Sequence, residues 1–287
     1  MPEVEALAHY LKAELSGRTV ASVRVAAISA LQTYDPPVES LVGAEVRDVS
    51  NVGKYLVMVV GELSLVVHFA KSGWAKLVDP PARPARPARA RPGRGPLAVV
   101  FAFDDARQLQ LTEAATEKRL RVWVARSLAD IAPLADLGVD VAGGDDALAD
   151  VREVIRSTRG RLRSVLTDQG LIAGVGNAYA DEILHRAKVS PFATTQALSD
   201  EQLDAVVAAL TLVLDDARQR SKGLSAKDLK REKKAGFRVH ARTGQPCPEC
   251  GDTIREVAFA SRSWQYCPTC QTGGKVLADR RLSRLLK

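Results

Sequence analysis

The sequence predicts an α+β protein: a first helix, an antiparallel β-sandwich or barrel, then a helical domain and a small four-cysteine β-hairpin. Three observations carry this. Short Val-rich runs separated by turn residues fill residues 18–124. Helical periodicity and capping signals take over from about Pro133. Near the C-terminus two Cys-x-x-Cys pairs, Cys247/Cys250 and Cys267/Cys270, enclose a 16-residue segment.

Residues 2–15 read as the first helix. Val4, Leu7, Leu11 and Leu15 recur at helical spacing, Pro2 suits the first turn, and Gly17 ends it. Pro2 has a second property. Removal of Met1 leaves a free secondary amine, and an N-terminal amine with a pKa of about 7.7–8.0 is partly unprotonated near neutrality. Such an amine can attack an aldehyde carbon and form an iminium, with Glu3 beside it.

The β-runs follow: TVASVRVAA, AEVRDVS, YLVMVV, LSLVVHF, LAVVFAF, RQLQLT and RVWVAR. So many short strands in one stretch suggest a sandwich or barrel. Asn51-Val-Gly-Lys54 lies between two runs, which puts Lys54 at a strand entrance beside a turn. Residues 80–96 hold five arginines and six prolines, a composition that cannot pack a core and reads as a polyproline-like or disordered loop.

In the helical part, Val151–Leu166 is basic and amphipathic. Gly170, Gly174 and Gly176 then predict tight turns, with Asn177 at the N-cap of the next helix and Pro191 beyond its end. A glycine-rich turn into a helix N-terminus aims backbone N–H groups at an anion. Ser199-Asp-Glu-Gln202 is a capping box for a helix with Leu203, Val206, Leu210 and Val213 on one face. KGLSAKDLKREKKAGFRVHAR reads as a basic, mobile connector to the cysteine pairs.

Each cysteine pair is a tight knuckle, and the β-rich segment between them can fold back as a hairpin. Four thiolates so placed suit one structural Zn²⁺ held by Cys247, Cys250, Cys267 and Cys270. The competing reading is two disulfides, which fits poorly with a chain whose start shows no secretory signal. A closed four-cysteine site leaves no position for a substrate, so the function lies in what the ribbon presents: Arg262 at its tip, with Trp264 and Tyr266 beside it.

Composition bounds the partners. A chain of 287 residues, 46% hydrophobic, is long enough for two domains with real cores. It has no apolar run of about 18 residues, the length a membrane span needs. MPEVEALAHYLKAEL carries acids where a signal peptide needs Lys or Arg, so a soluble intracellular protein is expected. From Arg218 onward 17 Lys and Arg face 6 Asp and Glu, a balance of +11; the chain as a whole is +7, so the remainder is −4. A basic C-terminal third around a zinc ribbon points to a polyanion, most simply nucleic acid. The other reading of the same charge is a solvated positive surface.

Four stretches together resemble the formamidopyrimidine-DNA glycosylase/endonuclease VIII family: the Pro-Glu start, Gly53-Lys54-Tyr55-Leu56, AGVGNAYADEILHRA, and RTGQPCPEC…SRSWQYCPTCQ. The resemblance covers essentially the whole chain. It implies a catalytic β-sandwich domain at 1–130, a helix–two-turn–helix DNA-binding domain at 131–236, and a zinc finger at 237–287. It implies a DNA glycosylase with AP lyase activity, acting as a monomer on double-stranded DNA that holds damaged bases or abasic sites, in the cytoplasm and associated with the nucleoid. Pro2 would attack the sugar, Glu3 would shuttle protons, Lys54 would contact phosphate and assist at the sugar, and Arg262 and Asn177 would grip phosphates. A non-catalytic DNA- or lesion-binding protein on the same scaffold is the alternative. The chain departs from the family pattern in four places: Met is followed directly by PEVE, HFAKSG puts Lys71 where a void-filling methionine is usual, and EAATEKRLR and GLSAKDLK stand in two family loops.

Overall fold

The structure, a computed structural model, describes residues 2–80, 95–259 and 263–278. Most of the Pro/Arg-rich segment and Arg262 lie outside the described residues. The chain divides into two compact units. One is Glu3–Ala135 with Gly223–Lys230, and the other includes Asp136–Lys222 and Arg231–Lys287.

In the first unit, helix α1 (Pro2–Leu15) opens with proline in its first turn and acids Glu3 and Glu5 beside it, where the helix dipole favours negative charge. Leu7, Leu11 and Leu15 are fully buried in the main core. Eight strands follow: β1 (Val20–Val25), β2 (Val46–Val52), β3 (Tyr55–Val60), β4 (Leu63–His68), β5 (Gly73–Val78), β6 (Leu97–Phe103), β7 (Gln108–Glu113) and β8 (Arg121–Ala125). They pair antiparallel as two four-stranded sheets, β1-β6-β7-β5 and β2-β3-β4-β8. Leu56, Met58 and Leu65 of one sheet and Phe101, Leu109 and Leu111 of the other share one core, as a sandwich requires. β5 is the strand that the periodicity does not announce, since Trp74, Ala75, Leu77 and Val78 do not alternate with polar residues. The second sheet buries its other face too, against Ile131 and Leu134, where the short helix α2 (Ala132–Ala135) lies.

The second unit begins with a two-strand parallel pair, β9 (Val139–Asp140) and β10 (Ile172–Ala173). Gly138 is required here: a Cβ on it would sit 2.2 Å from the Leu171 carbonyl oxygen. The stretch expected as one amphipathic run is two helices, α3 (Gly144–Ser157) and α4 (Leu162–Thr167), separated at 158–161. The break is stitched by Thr195 N to Gly160 O and Leu162 N to Ala193 O, both 2.9 Å. Helix α5 (Asn177–Arg186) follows, then α6 (Asp200–Ser221), opened by the reciprocal Ser199–Gln202 capping box. Leu203, Val206 and Leu210 of α6 are buried against Ile183 and Leu184 of α5.

Helix α7 (Ala226–Ala235) replaces the expected mobile connector. Its composition is polar, but Ala226 and Leu229 are buried in the sandwich core and Trp74 Nε1 donates to Ala226 O at 2.6 Å. Two apolar anchors and one hydrogen bond thus dock a sequence that reads as solvated. The chain closes with the hairpin β11 (Arg255–Ala258) and β12 (Ser263–Tyr266) and the single turn α8 (Pro268–Thr272).

Candidate functional site

The four cysteines converge. Their sulfurs all lie within 4.8 Å of one another, with Cys250–Cys267 at 3.4 Å, Cys250–Cys270 at 3.5 Å and Cys247–Cys270 at 3.9 Å. A tetrahedron with Zn–S bonds of about 2.3 Å separates its sulfurs by about 3.8 Å. None of the four is in a disulfide, which sets aside the paired-bridge reading. Burial pushes the Cys267 thiol up to about 11, so a thiolate there needs the charge of a cation beside it. The residues therefore fit one structural zinc. Asp252 joins the two knuckles, its carboxylate accepting from Thr269 N at 3.2 Å and Oγ1 at 2.8 Å. On the inner side His185 Nε2 lies 3.3 Å from Cys247 Sγ. Burial, helped by Arg238, lowers the His185 pKa to about 4, leaving a neutral ring able to donate one N–H to the sulfur.

A buried polar network fastens α5 to this ribbon. Glu182 accepts from three successive backbone N–H groups, Arg238 at 2.9 Å, Val239 at 3.0 Å and His240 at 2.8 Å. Burial still raises its pKa against those three bonds. Asp181, with no exposed side chain, pairs with Arg163 at 2.9 Å and His240 Nδ1 at 2.8 Å. It also takes Gln265 N at 3.4 Å. Trp264 and Tyr266, expected beside the presented tip, are instead fully buried. The Trp264 ring packs against Phe259 at 4.4 Å and Phe192 at 5.5 Å, and the Tyr266 hydroxyl accepts from Leu277 N at 2.8 Å.

Asn177 is the first residue of α5 rather than its cap; Gly176 holds the cap position, and no side chain caps the helix. The Asn177 side chain is occupied from within: Arg163 Nη1 donates to its Oδ1 at 3.1 Å, and Arg163 Nη2 donates to its carbonyl at 3.1 Å. With the amide oxygen so engaged, the amide's two N–H donors are what Asn177 can offer elsewhere. Two of the turn amides expected to face an anion are already used. Gly170 N donates to Asp168 Oδ1 at 3.0 Å, and Gly174 N, at φ +100°, donates to Gln169 Oε1 at 3.1 Å.

At the start of α1, Pro2 is buried and Glu3 is 2% exposed. Lys54 occupies a two-residue hairpin between Val52 and Tyr55, where Gly53 supplies the positive φ of 53° at the first loop position. Cross-strand from Tyr55 stands His68, its ring 4.9 Å from the tyrosine's. Burial, then the charges of Lys54 and Arg121, lower the His68 pKa to about 4, so a neutral imidazole sits next to Lys54 at pH 7. Sequence reasoning missed His68, although HFAKSG marked its strand end. It also missed Glu113. This buried carboxylate accepts from Arg119 N at 2.8 Å, Leu120 N at 2.9 Å and Ser72 Oγ at 3.2 Å, tying the 114–120 loop to the Lys71 turn. Nothing in the sequence separates Glu113 from a solvated acid.

Three family models match successive parts of the chain. They are the formamidopyrimidine-DNA glycosylase N-terminal domain at residues 1–119, the formamidopyrimidine-DNA glycosylase H2TH domain at 137–228, and a zinc finger found in FPG and IleRS at 244–273. A formamidopyrimidine-DNA glycosylase of Solibacter usitatus is 33% identical over 279 residues, covering 94% of this chain and 98% of that one. An uncharacterised formamidopyrimidine-DNA glycosylase-like protein of Mycobacterium tuberculosis is 60% identical over 148 residues, 50% of this chain and 94% of that protein. Among solved structures, Lactococcus lactis Fpg in complex with abasic-site DNA superposes with a TM-score of 0.80 at 23% identity, over 95% of this chain and 99% of that one, and shares the fold. Among the described residues, no helix is long and apolar enough to cross a membrane.

Proposed function

Because the chain belongs to the formamidopyrimidine-DNA glycosylase family, we propose that it is a base-excision-repair DNA glycosylase on damaged double-stranded DNA, and that it cleaves the resulting abasic site through an iminium at Pro2. The observation that carries this reading is the start of α1. Among the described residues α1 starts at Pro2, and its sequence neighbour Glu3 is a buried carboxylate, which supports a fixed acid beside the proposed nucleophile.

The damaged nucleotide leaves the stack. With Met1 removed, the Pro2 nitrogen attacks C1′ of the sugar, and the base departs with the C1′–N bond electrons and a proton. Opening of the sugar ring then gives a C1′ iminium, which is permanently charged because proline is a secondary amine. Loss of a C2′ proton to a base expels the 3′ phosphate, and a second elimination expels the 5′ phosphate. Glu3 is the group that moves protons to and from the sugar. Lys54, with neutral His68 beside it, contacts a phosphate near the reacting sugar. Asn177, through its amide donors, and Arg262 hold phosphates beside the flipped nucleotide; arginine suits this by its forked donors. The zinc holds the ribbon that carries Arg262 and takes no part in the chemistry. On this reading residues 1–130 are the catalytic domain, 131–236 the helix–two-turn–helix domain and 237–287 the zinc finger, and the protein works at the nucleoid.

One observation favours a second reading. Pro2 is buried, and an amine closed off from the sugar would leave a DNA- or lesion-binding protein without catalysis. Borohydride trapping on abasic-site duplex separates the two: an iminium is reduced to a covalent protein–DNA adduct, whereas a binder gives none.

A further inference from the structure

Arg161 stands where α4 begins, exposed, with its backbone fixed by a bridge to Thr194 and by the neighbouring Leu162 N to Ala193 O bond of 2.9 Å. Its guanidinium lies over two rings, 5.0 Å from the Phe192 centroid and 5.9 Å from that of Trp264. Arg152 and Arg156 pair with Asp200, and Arg163 pairs with Asp181. Arg161 has no carboxylate partner among the described residues. A guanidinium held against aromatic faces gives up little further side-chain freedom on binding an anion, and stacking leaves its in-plane N–H donors available.

Its position gives that cation a context. The Trp264 indole also carries Arg163 at 4.8 Å, and Arg163 is the residue that holds Asn177 by both its amide oxygen and its carbonyl. The same indole packs 4.4 Å from Phe259, three residues before Arg262 in the sequence. One buried ring thus has Asn177's anchor, Phe259 and Arg161 around it. A duplex strand presents a phosphate roughly every 3.4 Å along its axis, so a cation one indole from Asn177's anchor is within reach of a neighbouring phosphate.

We propose that Arg161 is a further phosphate-binding residue, which grips the DNA backbone next to the phosphate at Asn177. The proposal rests on the reading that Asn177 engages DNA. It adds a cation set by Phe192 and Trp264 rather than by the glycine turn. Such a contact is indifferent to sequence and lesion, so it contributes to holding the strand and not to choosing the base.

Fluorescence anisotropy of the full chain on an abasic-site duplex and on an undamaged duplex, across a salt series, tests it. Arg161→Gln and Arg161→Ala should both weaken binding about tenfold on either duplex, and reduce the slope of log affinity against log salt by about 0.9. Arg161→Lys should keep the slope, and zinc content and thermal midpoint should stay at the parent values. Asn177→Ala is run in parallel. If it weakens binding while Arg161→Gln leaves affinity and slope unchanged, the inference on Arg161 is overturned and the proposed function stands. If the parent protein binds neither duplex, both fall. A loss of affinity that tracks a lowered midpoint and is not repaired by lysine also overturns it, because Arg161 would then only staple Phe192 to Trp264.

Discussion

Arg163 holds Asn177 at two points, donating from Nη1 to the side-chain oxygen and from Nη2 to the backbone carbonyl, each at 3.1 Å. The same guanidinium is 1% exposed and closes an ion pair with Asp181. A structural pair and the orientation of a proposed phosphate ligand therefore share one side chain. Arg163→Met should cost about 3–5 kcal/mol, because it removes the arginine partner of a buried carboxylate. It should also weaken DNA binding beyond what Asn177→Ala alone does. Arg163→Met with Asp181→Asn should recover part of the stability but none of the binding. Urea denaturation and anisotropy on the three proteins check this.

The docking of α7 predicts a large effect from a residue in an apparently hydrophilic segment. Leu229 is fully buried in the sandwich core. Leu229→Ala should destabilise by about 2–5 kcal/mol, whereas a connector residue would change stability by no more than about 0.5 kcal/mol. Thermal or urea melts of the purified variant decide between them.

Acid sensitivity follows from two histidines whose pKa values burial lowers to about 4, His68 and His185. Each is near 6.5 when unfolded. A group that is harder to protonate in the fold leaves stability intact above the unfolded pKa and loses it as pH falls through 6.5 toward 4. Stability should therefore decline over that window with an uptake of up to about one proton per histidine on unfolding. His68→Gln should remove one of the two and flatten the slope. Urea midpoints at pH 7 and pH 5 measure it; equal slopes in parent and variant would refute the assignment.

Zinc should bind at about one per chain. Cys267→Ser should release it and expose Trp264, the indole of the ribbon, while Trp74 and Trp123 of the sandwich keep their native emission. Metal analysis together with single-tryptophan fluorescence reads both halves of this expectation. Full zinc occupancy in Cys267→Ser would contradict the four-cysteine site.

Local signals were legible in the sequence wherever partners lie close along the chain. The cysteine knuckles, the Ser199 capping box, the hairpin that carries Lys54 and the leucine stripe of α1 all depend on spacings of a few residues. What was not legible depends on distant partners. No local pattern marks the partners of Glu182, Asp181 and Arg163, which lie up to 84 positions away. Asn177 looked like a cap because the residue type suits one; its side chain was taken instead by an arginine that no local pattern points to. Trp264 and Tyr266 looked like presented aromatics, but both are fully buried, Trp264 against Phe259 and the distant Phe192. α7 was misread because charged residues dominate it, while Ala226 and Leu229 are buried in the sandwich core.

The central claim is the iminium at Pro2, and peptide mapping of the borohydride-trapped complex tests it most directly. Protein whose N-terminus is shown by intact mass to be Pro2 is incubated with abasic-site duplex and borohydride, digested and sequenced by mass spectrometry. The account predicts a single adduct on Pro2. It also predicts that an N-terminal tag abolishes the adduct while DNA binding survives. Glu3→Gln should slow base release far more than cleavage of a preformed abasic site, which has no base to expel. An adduct on Lys54 or another lysine would contradict Pro2 as nucleophile, and no adduct from protein that binds the duplex would establish the non-catalytic reading.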